Sequence, residues 1–85
     1  MSTAEVLDNL SGLIEQFNGD NRSGKAITKV KIQEVCDGLE NASGIRCNRS
    51  RWRELLERVR GFSKGHGDYL GAQNNVRLLR EEVQL

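Results

Sequence analysis

Proline is absent from all 85 residues, so glycine and asparagine must punctuate the chain. Aromatic residues are few, with one Trp, one Tyr and two Phe, which leaves any core to aliphatic side chains. Two cysteines are too sparse for the disulfide framework of a small secreted scaffold. Cys36 and Cys47 sit within apolar patterns, where free cysteine behaves as a small hydrophobe. His66 is the single histidine, and there is no C-x-x-C pair, so neither a metal nor a cofactor is expected. No apolar run approaches the ~20 residues of a membrane span, and the N-terminus shows no signal-peptide core. The expectation is a soluble, cytoplasmic protein without membrane contact. A net charge of +1 excludes a polybasic or acidic-tail protein on bulk composition. The length suits a single domain over residues 1–85 that buries roughly 60–65% of its unfolded surface.

What is present is helical periodicity. From about Ala4 to Phe17, Val6, Leu10, Leu13 and Phe17 recur at helical spacing, with Leu7 and Ile14 widening the stripe. Ser2 and Glu5 form an S-x-x-E capping box before it, and Asn18-Gly19 supplies a stop. A second stretch centres on Ile32, Val35, Cys36 and Leu39, with Thr28 as its N-cap. Lys29 to Ile32 alternates like a short strand, so that start is ambiguous by a turn. Trp52, Leu55, Leu56 and Val59 define a third helix, capped at Asn48 or Ser50 and closed by Gly61; it should be central to the core. Between the second and third, residues 45–47 are read as a short extended segment. A last helix begins near Asp68 and carries Tyr69, Ala72, Val76, Leu79 and Val83. Four short helices give an all-α bundle with no room for a substantial sheet.

Catalytic patterns are missing. Gly19 to Lys25 matches the phosphate-cradling G-x-x-x-x-G-K pattern, but Ala26 stands where a magnesium-binding hydroxyl is required. The match also follows a helix rather than a strand, so it reads as a polar inter-helix turn. No hydrolase, zincin or Cys-His arrangement can be assembled, and the carboxylates are dispersed over exposed helical positions. The chain is read as a non-enzyme.

Charge placement says more than total charge. Residues 46–64 hold seven cations against Glu54 and Glu57, leaving the rest of the chain net acidic. Arginine suits bidentate phosphate contacts, and helix N-termini attract anions. Arg46, Arg49, Arg51, Arg53, Arg60 and Lys64 are therefore candidate nucleic-acid or anion ligands, with Trp52 able to offer a stacking face. The competing reading has Trp52 in the core, arginine stems lying over apolar surface, and Glu54–Arg58 and Arg53–Glu57 paired along one helix. A helix-turn-helix is nonstandard here, because the link from Glu40 to Asn48 is long and Glu54 and Glu57 repel phosphate.

Apolar surface on the last helix beyond a single stripe marks a second candidate interface: Tyr69, Val76, Leu78, Leu79, Val83 and Leu85. It would meet another protein or a second copy of the chain, making a homodimer. The leading expectation is a non-catalytic protein-interaction or regulatory module. A small nucleic-acid-binding protein using the arginine-rich segment is the alternative.

Overall fold

The computed structural model describes residues 2–42 and 45–83. Helix α1 spans Thr3–Gly19, α2 Arg22–Asn41, α3 Arg49–Ser63 and α4 Tyr69–Val83. The expected all-α bundle is the fold, and no strand occurs among the described residues. Residues 45–47 form no ladder; Ile45 and Cys47 instead lie partly buried against the core. Each helix packs on its neighbour in sequence, and α4 closes the ring against α1.

Capping side chains set the boundaries. Ser2 accepts from the Glu5 amide at 3.2 Å, Asn21 from Gly24 at 2.9 Å, Asn48 from Arg51 at 3.1 Å and Asp68 from Gly71 at 2.7 Å. Each satisfies an N-terminal N–H that the helix itself leaves unbonded.

Two boundaries differ from the sequence expectation. Helix α2 starts six residues before Thr28. Thr28 is buried inside it, its hydroxyl donating to Asp20 Oδ2 at 2.9 Å. The corner between α1 and α2 is thus only Asp20-Asn21, and Asn21 rather than Thr28 is the cap. Helix α3 runs through Gly61 to Ser63. Gly65, at φ +92°, takes the left-handed position that ends it. His66 N–H reaches back to Gly61 O at 2.8 Å and Gly65 N–H to Phe62 O at 3.1 Å, a Schellman closure.

The core is aliphatic around one tryptophan. Leu7, Leu10 and Ile14 of α1 meet Ile32, Cys36 and Leu39 of α2. Trp52, Leu55, Leu56, Val59 and Phe62 of α3 and Ala72, Val76 and Leu79 of α4 complete it. Helix α3 is central as expected, with Trp52 only 1% exposed. Phe17 and Phe62 meet edge to face at 5.1 Å between ring centres. Along the α1–α4 seam, Ser11 donates to Gln73 Oε1 at 2.6 Å, and Gln73 Nε2 donates back to Ser11 O at 3.0 Å.

Candidate interaction surface

The arginine-rich segment is largely neutralised by the chain's own carboxylates. Arg51 pairs with Glu82 at 2.8 Å and Arg58 with Glu54 at 2.7 Å. Arg53 reaches Glu40 across to α2 at 3.5 Å; the expected partner Glu57 is engaged by Arg60 at 2.5 Å. Arg60 is 8% exposed and also binds Asp37 at 2.7 Å and Glu40 at 3.3 Å. Burial opposes its charge, yet the hydrogen bond to Asp37 and the field and hydrogen bond of Glu40 prevail and raise its pKa above the ordinary value. Arg60 is therefore a tie between α2 and α3, its donors turned inward.

Arg46, Arg49 and Lys64 remain without a carboxylate among the described residues. Arg49 donates to Ala42 O at 3.2 Å. Lys64 caps the far end of the 15-residue helix that Arg49 begins, so the three do not form one patch. Trp52 offers no stacking face, because it is buried and its indole N–H donates to Leu39 O at 3.0 Å.

Among the described residues, the larger apolar side chains of the last helix turn inward, Leu70 excepted. Val76 and Leu79 lie in the core; Tyr69, Leu78 and Val83 pack against it, and Leu85 lies outside the described residues. Contact with both α1 and α3 lets α4 bury Val76 and Leu79 and half-bury Leu78 beside them. Arg80 reaches across to Asp8 of α1, and Arg77 pairs with Glu81 within α4.

The unpartnered apolar surface lies on α2. Ile27 is 61% and Val30 55% exposed, one turn apart, and Ala26 is exposed beside them. At 100° per residue they stand opposite Ile32 and Cys36, so α2 is apolar on two faces. Beginning the helix at Thr28 hides this, because Ile27 then falls outside it and Val30 reads as part of an alternating strand. A shallow groove on the outward face is lined by Ala26, Lys29, Val30, Gln33, Glu34 and Asp37. Arg22 and Lys29 edge the patch on the α3 side and Lys31 on the α1 side. No carboxylate pairs with any of the three among the described residues. Leu70, 74% exposed on α4, stands apart from it.

Other features carry less chemistry. An open cleft of about 570 Å³ between α3 and α4 has Phe62 and Ala72 in its lining. Its acidic lining groups are already engaged: Glu54 with Arg58, Glu57 with Arg60, and Asp68 with the Gly71 amide. Burial pushes the Cys36 thiol up to about 12 against the pull of Arg60, and burial also raises Cys47. Both favour the protonated, unreactive form. Among the described residues no three His, Cys, Asp or Glu side chains gather as a metal site, and no helix is long and apolar enough to cross a membrane. In the segment resembling a phosphate loop, the Gly24 N–H is taken by Asn21, and the Asp20 carboxylate lies against Gly24.

The described residues define a four-helix all-α bundle with an unpartnered apolar face on α2. No protein family, curated protein or solved structure matches the chain.

Proposed function

We propose that the chain is a non-catalytic protein-interaction module acting through helix-surface contacts, with the outward face of α2 as its docking surface. The exposure of Ile27 and Val30 on a helix whose opposite face is already buried carries this reading. Exposed apolar side chains grouped on one helix face gain free energy when a partner covers them. The nucleic-acid alternative is weaker, because most arginines of α3 are held by carboxylates and Trp52 is enclosed.

A photocrosslinking side chain at Val30, introduced in cells of the native host, tests the reading. A discrete protein adduct that disappears with Ile27→Glu, and is missing from a probe at Glu15, supports it. No adduct at Val30, or tight binding of mixed-sequence DNA or RNA that falls with salt, overturns it.

A further inference from the structure

Resting on that reading, we propose that the occupant of the α2 face is an acidic amphipathic helix of another protein. Ala26, Lys29, Val30 and Gln33 have the i, i+3, i+4, i+7 spacing of a hole that receives one side chain from a facing helix. Val30, Gln33, Glu34 and Asp37 repeat it one turn on. Two successive holes along one groove fit apolar residues projecting at helical spacing from a partner, with Ile27 projecting back beside them.

Charge identifies which helix. Arg22, Lys25, Lys29 and Lys31 fall within ten residues and pair with no carboxylate among the described residues. Lys25 lies apart from this face, over the Phe17 ring of α1 at 5.4 Å. Asp37 and Glu40, farther along α2, are already bound by Arg60, so Glu34 is the unengaged anion of this helix. A second copy would set its own Arg22, Lys29 and Lys31 against the same three cations, with Glu34 the one unengaged anion of each α2, and like charges would dominate. Carboxylates flanking the partner's apolar stripe instead meet Arg22 and Lys29 along one edge and Lys31 along the other. Duplex nucleic acid would use the cations and leave Ile27 and Val30 without a counterpart.

A displayed library of amphipathic helices settles the proposal, with Leu and Ile fixed on one stripe and the flanking positions varied among Glu, Lys, Gln and Ser. Selection on the intact protein should enrich Glu flanks. Ile27→Glu with Val30→Glu should then lower the affinity of the selected helices by about tenfold or more. Lys29→Glu with Lys31→Glu, both exposed and outside the core, should turn the preference to Lys flanks. Enrichment of Lys or uncharged flanks overturns the proposal, as does failure to enrich any helix or indifference to the charge reversal. Self-association, or binding to phosphatidylserine vesicles, that is abolished by Ile27→Glu also overturns it. The two readings fail separately. If a Val30 protein adduct persists while the library prefers no acidic flank, the docking surface stands and the acidic helix falls. If Val30 yields no adduct, the docking surface itself falls.

Discussion

The indole N–H of Trp52 donates to the backbone carbonyl of Leu39 at 3.0 Å, joining the start of α3 to the last turns of α2. It gives the one polar atom of the largest core side chain a partner in a site sealed from water. Trp52→Phe removes that hydrogen bond and leaves unfilled space. The expected cost is about 2–3 kcal/mol in chemical denaturation, combining lost packing with the lost bond. In the wild type, tryptophan emission should be blue-shifted and should move red on unfolding. Emission already at the solvent-exposed wavelength in the native protein would contradict the buried placement.

Gly24 and Gly38 should respond oppositely to alanine. A Cβ at Gly24 would lie 2.9 Å from Asp20 Cγ and 3.0 Å from its Cβ, and the Asp20 carboxylate is held by Thr28. Moving it breaks a hydrogen bond to a buried hydroxyl, so Gly24→Ala should destabilise by about 1 kcal/mol despite the better helix former. Nothing lies within 4 Å of a Cβ at exposed Gly38, so Gly38→Ala should stabilise by about 0.5–1 kcal/mol. Melting temperatures of the two variants, measured side by side, check the sign of each.

Removing the Arg60 guanidinium leaves Asp37 and Glu57 without a cation and Glu40 with only the longer contact to Arg53. Arg60→Met should cost about 2–3 kcal/mol, below the value for a wholly buried pair because Asp37 and Glu57 remain open to water. Adding Asp37→Asn and Glu57→Gln to that variant should recover part of the loss. A triple variant no more stable than Arg60→Met would place the cost in packing rather than charge.

Alkaline stability should report on Cys36. Burial raises its thiol from the ordinary 9.0 to about 12, so the folded chain holds a proton that the unfolded chain releases. That contribution is complete below pH 9 and is lost as pH climbs from there toward about 12. The slope approaches, at most, about 1.4 kcal/mol per pH unit. Cys36→Ala should flatten this limb relative to the wild type, with Cys47 present in both. Parallel limbs would show that Cys36 does not titrate in that window.

The four helices were legible because each shows its core stripe at helical spacing, and Ser2, Asn48 and Asp68 are polar caps next to those stripes. The start of α2 was not. Gly19 to Lys25 is polar and glycine-rich, and the cap of Asn21 on Gly24 with the pairing of Thr28 and Asp20 across the corner shows that helix resumes after two residues. Gly61 reads locally as a terminator, whereas the distant requirement for positive φ falls on Gly65. The same misplacement concealed the α2 face, since its periodicity appears only once the first turn is included. Spacing along α3 offered Glu57 to Arg53, whereas Arg53 turns to Glu40 and Arg60 takes Glu57 together with Asp37 and Glu40; the partners on α2 are beyond the reach of spacing rules.

The ring order of the bundle has a kinetic consequence. Three of its four helix interfaces join elements consecutive in the chain, so most of the packing forms between near segments, at little loop-closure entropy. Only the α1–α4 seam, with Ser11 bound to Gln73, must wait for the whole chain to come round. Topologies of such low contact order fold on the order of microseconds to milliseconds. Substitutions along that seam should therefore act chiefly on the unfolding rate, while those in the α2–α3 packing should act more on the folding rate.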